Sequence, residues 1–252
     1  MLTHAILRRP GADFAAGITT AGLGAPDYGR ILAQHAAYAT ALRALGLAVE
    51  VLEPLPGLPD AYFIEDVAVI VPELSVIARP GAASRRAELE PAVAAIARHR
   101  EMVHLEAPAT LDGGDVLVVD RVVLVGLSAR TNAEGAAQLK RFLEPHGYRI
   151  RTVPVASGLH LKSSVSSLGD DRLLVTQPFA NAAELSGYRR LVVGAGDEPA
   201  CNTLLVNGTL LFPAGFPAAR REVEETGLPL VELDVSEARK MDGGLSCMSL
   251  RL

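Results

Sequence analysis

The chain has 252 residues, 49% of them hydrophobic and 21% charged, which is enough apolar sequence for one large or two small globular domains. The net charge of −5 argues against nucleic-acid binding through a basic surface. Two cysteines do not make a disulfide scaffold, and no apolar run approaches the ~20 residues of a membrane helix. Because the N-terminus lacks a signal-peptide pattern, we expect a soluble, cytoplasmic protein with no nucleic-acid or membrane partner.

Apolar periodicity and turn residues predict strands and helices along the whole chain. The predicted strands cover residues 5–7, 48–52, 68–71, 76–78, 103–105, 116–119, 122–126, 149–155, 173–176, 191–193, 204–206, 210–212 and 230–233. The predicted helices cover residues 28–45, 84–98, 132–146, 182–188 and 218–226. Asn207-Gly208 predicts a tight hairpin between two of the strands.

The order strand, strand, helix, strand recurs about five times, at a spacing of roughly 40–50 residues that is typical of radial arrays. Many of the strands are short apolar runs, which fits burial under a helix. No proline- or serine-rich linker divides the chain. We therefore predict a single α/β domain over residues 1–252.

The last thirteen residues hold a cysteine in an unusual setting, because Gly243-Gly244 precedes Cys247 and a short apolar segment follows it. Glycine permits positive φ and close approach of other groups to the backbone. Nucleophiles are often placed at such element ends. A free cysteine is also often a small buried hydrophobe, and this stretch alone leaves both interpretations open.

Two stretches place acids beside apolar strands. Asp60, Glu65 and Asp66 surround the start of one strand, and the adjacent Glu65 and Asp66 point to opposite faces if the stretch is extended. One of them could then face a buried cavity and would need a cation there, although a solvated loop is the plainer alternative. Asp112-Gly113-Gly114-Asp115 sets two carboxylates near one cleft edge.

His160 lies between two leucines, where a histidine is more often structural than catalytic. Beside a distant cysteine and an acid it becomes a candidate base. Arg85 and Arg130 could each hold a carboxylate bidentately. A zinc site built from Cys247 and His160 is a weak option, because no third and fourth ligands can be recognised.

Together these residues resemble dimethylarginine dimethylaminohydrolase, one of the guanidine-modifying enzymes of the pentein fold. The resemblance covers nearly the whole chain and rests on seven anchors in order. They are Pro59-Asp60, Phe63-Ile64-Glu65-Asp66, Arg79-Pro80-Gly81-Ala82 with Ser84-Arg85-Arg86, Leu111-Asp112-Gly113-Gly114-Asp115, residues 126–132, Leu159-His160-Leu161-Lys162, and residues 242–249.

The resemblance implies a five-fold pseudosymmetric α/β propeller of ββαβ units and a hydrolase that acts on the C–N bond of a linear amidine. Nω-methylated arginine would give citrulline and dimethylamine or methylamine through a covalent thiouronium on a cysteine. A small-molecule guanidine would be the partner, no metal or organic cofactor would take part, and a homodimer is a possible assembly.

The resemblance also implies roles for individual residues. Cys247 is the expected nucleophile, His160 the general acid and base, and Asp112 the carboxylate that orients His160. The residues expected to bind substrate are Asp66 and Glu65 at the guanidinium, Asp60 with the backbone oxygens of Ile18 and Met241 at the α-amino group, and Arg85 and Arg130 at the α-carboxylate. Residues 17–25 would form a lid.

Three alternatives remain open at this point, and one of them is amidinotransfer, which would show as dependence on an acceptor amine. An arginine deiminase shares the same machinery and would release ammonia, but such enzymes usually carry an inserted helical region that this chain lacks. A non-catalytic binding protein on the same fold would not be expected to keep the cysteine, histidine and acid together.

Overall fold

The structure is a computed structural model and describes residues 1–155 and 158–252. The strands of these residues, β1 to β15 in chain order, are His4–Arg8, Ala48–Leu52, Ala68–Ile70, Ser75–Ile77, Met102–His104, Val116–Val119, Val122–Leu127, Arg149–Pro154, Val165–Gly169, Arg172–Val175, Arg189–Val192, Leu204–Val206, Thr209–Pro213, Leu230–Leu233 and Ser249–Arg251. The α-helices of the described part, α1 to α5, are Tyr28–Ala44, Leu89–Ile96, Ala133–Leu143, Pro217–Glu224 and Ser236–Arg239.

The strands pair into three-stranded sheets that repeat one pattern. In each sheet an antiparallel pair is followed along the chain by a third strand, parallel to the middle one. The strand orders are β3-β4-β5, β6-β7-β8, β9-β10-β11, β12-β13-β14 and β15-β1-β2. The chain's last strand thus completes the sheet of its first two strands. The apolar core lies between the sheets and under the helices, where most fully buried side chains are aliphatic.

The predicted element order is confirmed with five local differences, two of which are the short elements α5 and β15, which were not predicted. Strand β9 was not predicted, because its sequence Val-Ser-Ser-Leu-Gly is rich in serine. The helix predicted over residues 182–188 is one 3₁₀ turn, Ala183–Leu185. The helix predicted over residues 84–98 begins as a 3₁₀ segment, Ala83–Glu88, before α2. Pro91 lies in the first turn of α2, where its missing N–H costs nothing.

Each sheet presents one strand to the centre of the molecule, and a 3₁₀ turn directly precedes or closely approaches each of these inner strands. The five turns are Ile64–Val67 before β3, Gly113–Asp115 before β6, Leu161–Ser163 before β9, Glu198–Cys201 before β12 and Ser246–Met248 before β15. Neighbouring turns contact one another around the ring. The fold therefore gathers five short segments, far apart in sequence, at one end of its axis.

The longest helix, α1, begins at the predicted cap residue Asp27, whose carboxylate accepts a hydrogen bond from the Arg30 N–H at 2.7 Å. Within residues 1–155 and 158–252, no helix combines the length and the apolar character needed to cross a membrane.

Candidate active site

A small cavity of about 20 Å³ lies where the ring of turns meets the N-terminal loop. It has room for roughly one water molecule. Eight of the ten residues predicted for the site line it: Ile18, Asp60, Asp66, Arg85, Arg130, His160, Met241 and Cys247. Asp112 lies behind His160, and Glu65 faces elsewhere.

The two glycines before Cys247 act through close approach of neighbouring side chains. A Cβ on Gly243 would lie 2.1 Å from the Phe63 ring, and a Cβ on Gly244 would lie 2.4 Å from Asn202 Cγ. The left-handed residue of this turn is Asp242, with φ 59°. The expectation of close approach was therefore right, whereas positive φ falls on Asp242.

Burial raises the pKa of Cys247 to about 11, and the carboxylates of Glu65 and Asp66 act in the same direction. The unliganded site therefore holds this cysteine mainly as a thiol at neutral pH. A cation bound against Asp66 would reverse that field and favour the thiolate, which is the form that reacts.

His160 sits between two buried carboxylates. Its Nε2 lies 3.1 Å from Asp112 Oδ2, and its Nδ1 lies 4.0 Å from Asp66 Oδ1. Burial of the ring opposes protonation, but the negative charge of Asp66 and the hydrogen bond with Asp112 raise the pKa of His160 to about 9. The imidazole is consequently protonated at neutral pH and can supply a proton.

Asp112 and Asp66 are themselves fixed by backbone donors. The Gly81 N–H donates to Asp112 Oδ1, and the Gly114 N–H donates to Asp66 Oδ1, each at 2.9 Å. Burial opposes ionisation of Asp66, yet His160 and Arg85 lower the pKa of this carboxyl to about 2. A permanent negative charge therefore faces the cavity.

Asp115 is a fully buried residue to which the sequence assigned no role. Its carboxylate accepts hydrogen bonds from the Ser128 and Thr131 hydroxyls at 2.6 and 2.7 Å and from the Leu161 N–H at 2.9 Å. These contacts tie the turn after His160 to the loop before Arg130. Asp115 thus fixes the relative positions of two segments that line the cavity.

Arg85 lines the cavity, but its guanidinium is already engaged. It contacts Glu88 through Nε and Nη2, at 2.7 to 3.2 Å, and Asp66 through Nη1 at 2.5 Å. It also donates to the backbone oxygens of Asp60 and Phe63. Only 6% of its side chain is exposed. Its expected role at an α-carboxylate stays a prediction, because in this geometry it anchors Asp66.

Glu88 was not recognised in the sequence. Its side chain is 3% exposed, and burial raises the pKa of this carboxyl to about 7 against the opposing pull of Arg85. It is the counter-charge that holds Arg85 from the side away from Asp66.

Glu65 lies on the opposite side of its turn from Asp66. Its carboxylate contacts Lys162 Nζ at 2.7 Å and the Arg251 guanidinium. These groups border a separate cavity of about 310 Å³ between the inner strands. The structure does not bring Glu65 into the Cys247 cavity, and its expected place in the substrate pocket stays a prediction.

The N-terminal loop closes over the cavity. Both carboxylate oxygens of Asp60 accept from the Ile18 N–H, at 3.0 and 3.2 Å. Gly17 leaves room for this carboxylate, since a Cβ there would lie 2.4 Å from Asp60 Oδ1. Further along the loop, the Thr20 N–H donates to Asp242 Oδ2 at 2.5 Å. Residues 17–20 therefore lie over the site, and the expected role of residues 17–25 as a lid stays a prediction.

Arg130 makes fewer contacts with protein carboxylates than Arg85 does. Its Nη1 lies 4.0 Å from Asp112 Oδ2, and 13% of its side chain is exposed. With Asp60 and Ile18 it borders the end of the cavity nearest the N-terminal loop. A cation and a carboxylate at this end could receive the two charges of an amino-acid group.

Among the described residues, Asp66, Asp112 and His160 form a group close enough to share a metal ion. However, these ligand atoms already have partners: Asp66 binds Arg85 and the Gly114 N–H, and Asp112 binds His160 and the Gly81 N–H. Protonated His160 offers no lone pair to a metal. This donor set does not fit a metal at neutral pH.

A family model described as N,N dimethylarginine dimethylhydrolase, eukaryotic, matches residues 28–181. The chain is also 37% identical over 253 residues to the N(G),N(G)-dimethylarginine dimethylaminohydrolase of Pseudomonas aeruginosa, with all of both chains covered. The chain belongs to the dimethylarginine dimethylaminohydrolase family. A Streptomyces coelicolor protein of the same name is 36% identical, covering 98% of this chain and 96% of its own.

Solved structures of dimethylarginine dimethylaminohydrolases share the fold. A cysteine-to-serine variant of the Pseudomonas aeruginosa protein, complexed with citrulline, superposes with a TM-score of 0.98 at 37% identity over both complete chains. A cyanobacterial arginine dihydrolase domain is 18% identical with a TM-score of 0.87, covering 98% of this chain and 97% of its own, which shows the fold alone. These likenesses confirm the five-fold α/β propeller that the sequence predicted.

Proposed function

We propose that this chain hydrolyses Nω-methylated arginine to citrulline and dimethylamine or methylamine, with Cys247 as nucleophile. One observation carries the proposal beyond family membership. A cysteine, a protonated histidine and an ionised aspartate surround one small cavity, and a second aspartate and an arginine border its mouth. This arrangement suits a substrate with a cation at one end and an amino-acid group at the other.

Binding would use the charges already present. Asp66 would pair with the guanidinium, whose delocalised cation needs a carboxylate where water is excluded. Asp60 would exchange its contact with the Ile18 N–H for the substrate's α-amino group, aided by the backbone oxygens of Ile18 and Met241. Arg130 would take the α-carboxylate, and Arg85 would share it while holding Asp66 in place.

The reaction would then proceed in two halves. The bound cation lowers the pKa of Cys247, the thiol proton passes to solvent, and the resulting thiolate attacks the guanidinium carbon. His160 gives its proton to the departing amine as the C–N bond breaks, leaving a thiouronium on sulfur. Neutral His160 takes a proton from water, the hydroxide adds to the same carbon, and the C–S bond breaks to return the thiolate and release citrulline.

The relatives support this sequence of steps. One solved relative is a histidine-to-glycine variant described as an adduct with S-methyl-L-thiocitrulline, which superposes on this chain with a TM-score of 0.97 at 37% identity. All the proposed steps are proton transfers and additions that side chains supply, so the proposal needs no cofactor. Because the site draws on turns from several sheets, we also treat residues 1–252 as one catalytic domain. Two free cysteines fit a reducing, cytoplasmic location.

The deciding assay is citrulline release from arginine, monomethylarginine and asymmetric dimethylarginine, compared by kcat/KM. We expect the methylated substrates to be preferred, since one or two methyl groups against an apolar wall are worth roughly 1–3 kcal/mol. Turnover of arginine at or above the methylarginine rate would place the enzyme with the deiminases. No citrulline from any of the three would contradict the proposal.

A further inference from the structure

The five turns of the ring do not contribute equally to the predicted site. Four of them hold, or directly follow, a residue expected from the sequence: Asp66, Asp112, His160 and Cys247. The fifth turn, Glu198–Cys201, contains no residue that the sequence predicted for the site. Asn202 ends this turn and lies directly beside the proposed nucleophile, Cys247.

The side chain of Asn202 bridges two backbone segments at the cysteine. Its Oδ1 accepts a hydrogen bond from the Ser246 N–H at 2.9 Å, and its Nδ2 lies 3.7 Å from Cys247 Sγ. Asn202 is 7% exposed, so these contacts are made largely out of water.

The orientation of this amide is fixed by chemistry. A backbone N–H can only donate, so the Asn202 atom that faces Ser246 must be the oxygen. The NH₂ group must then face the sulfur. Gly244 permits this approach, because a Cβ at that position would lie 2.4 Å from Asn202 Cγ.

Burial and the carboxylates of Glu65 and Asp66 oppose ionisation of the sulfur, whereas hydrogen bonds with Gly244 and Ser246 favour it. The other titratable or charged side chains that act on the sulfur or line its cavity are Tyr38, Asp60, Tyr62, Arg85, Arg130, His160 and Asp242. Each cation among these groups already has a carboxylate partner: Arg85 is paired with Glu88 and Asp66, His160 lies between Asp112 and Asp66, and Arg130 lies 4.0 Å from Asp112. A neutral N–H donor directed at sulfur favours the thiolate without adding a charge that would repel a cationic substrate.

We propose that Asn202 is a further residue of the reaction centre, whose amide NH₂ donates to the Cys247 sulfur and whose oxygen holds the Ser246 backbone so that the thiolate faces the substrate carbon. The inference rests on the proposed role of Cys247 as nucleophile. It adds no covalent step, since Asn202 stabilises the form of sulfur that attacks and that leaves again.

The test measures the reactivity of Cys247 without any guanidine substrate. The rate of carbamidomethylation by iodoacetamide, read from the mass of the Cys247 peptide between about pH 6 and pH 10, follows the thiolate fraction below the pKa. Asn202→Leu keeps the branched shape and removes both the donor and the oxygen that accepts from Ser246. Asn202→Asp keeps the oxygen that accepts from Ser246 and replaces the donor with a negative charge.

We expect Asn202→Leu to slow alkylation about tenfold at about pH 8, which corresponds to one pKa unit, and Asn202→Asp to slow it further. Both variants should lower kcat for citrulline release at least tenfold while KM changes less. Cys201→Ser is the matched control, because the Cys201 sulfur faces the Ser164 oxygen at 3.1 Å and not Cys247. Cys201→Ser should leave the pH dependence of Cys247 alkylation unchanged.

Alkylation of Cys247 within twofold of the parent rate in either folded variant would overturn the proposal. Should Asn202→Leu not fold, Asn202→Asp decides alone, since it retains the contact with the Ser246 backbone. The result does not depend on which guanidine is hydrolysed. If the parent releases no citrulline but its Asn202 variants are alkylated more slowly than the parent, the proposed function is rejected and the contact between Asn202 and Cys247 is still supported.

Discussion

Arg85 and Arg130 have the same expected role at a substrate carboxylate, but their surroundings predict different responses to substitution. Arg85→Ala would leave the carboxylates of Asp66 and Glu88, whose side chains are 6% and 3% exposed, without their cation. Removing one partner of a buried ion pair typically costs about 3–5 kcal/mol. For a chain of this length that corresponds to a fall of about 6–20 °C in Tm. Arg130→Ala loses one contact at 4.0 Å and should cost under about 1.5 kcal/mol.

The assay is urea unfolding followed by far-UV circular dichroism, because the chain has no tryptophan. Arg86→Ala is the matched control, since Arg86 adjoins Arg85 and makes a single backbone contact, to the Pro80 oxygen at 3.1 Å. In kinetics, Arg130→Ala should raise KM for methylarginine with the fold intact. Equal unfolding free energies for the Arg85 and Arg130 variants would refute the buried-anchor reasoning. Equal kcat/KM for methylarginine and for agmatine, which lacks the carboxylate, would refute both assignments to the substrate.

Three further outcomes follow from the same site. Because the pKa of His160 is raised to about 9 in the folded protein, the charge of His160 contributes its full stabilisation below about pH 6.5 and loses it as pH rises through about 9. The unfolding free energies of the parent and of His160→Gln, measured in urea, should therefore converge above about pH 9. The kcat/KM of the parent should fall over the same pH range. Parallel pH dependences of the two proteins would argue against this charge. Asp115→Ala leaves three hydrogen-bond donors without an acceptor and should lower the unfolding free energy by about 3 kcal/mol and also lower kcat. An unchanged urea midpoint would contradict the role of Asp115 in positioning the two segments. Cys247→Ser should lower kcat by several orders of magnitude while Cys201→Ser retains turnover, and citrulline release by Cys247→Ser at the parent rate would exclude covalent catalysis at that residue.

Much of the fold follows from the sequence because the repeat is visible in hydrophobic runs and turn residues. Strand β9 is the instructive exception, since two of its five residues are serines and it carries no run of branched side chains. Its neighbours supply what its own sequence lacks: β9 pairs with β10 and lies at the centre of the ring, where a closed set of inner strands demands a member. Tertiary context overrides weak local preference in such a strand.

Some residues of the site could likewise be predicted from the sequence, and others could not. The residues whose neighbours in the chain are themselves distinctive, such as Asp112 and His160, could be predicted. Glu88 and Asn202 could not, because their importance comes from contacts across the ring rather than from a local pattern. One signal was nevertheless available. Asn202 stands shortly before an inner strand, as Asp112 and His160 do, so its position in the repeat indicates a site residue.

Glu65 and Asp66 show how little sequence distance determines a role. The sequence placed these neighbours on opposite faces of an extended segment, whereas they lie in the 3₁₀ turn Ile64–Val67. Their contacts nevertheless differ: Asp66 borders the Cys247 cavity, while Glu65 pairs with Lys162 and Arg251 beside the separate cavity. Both carboxylates raise the pKa of Cys247. Only the charge of Asp66, however, can be matched by a cation in the Cys247 cavity, because Asp66 lines that cavity whereas Glu65 lines the separate one. Binding of a guanidinium would therefore remove one of the two fields that disfavour the thiolate, and the nucleophile would become reactive when its substrate is present.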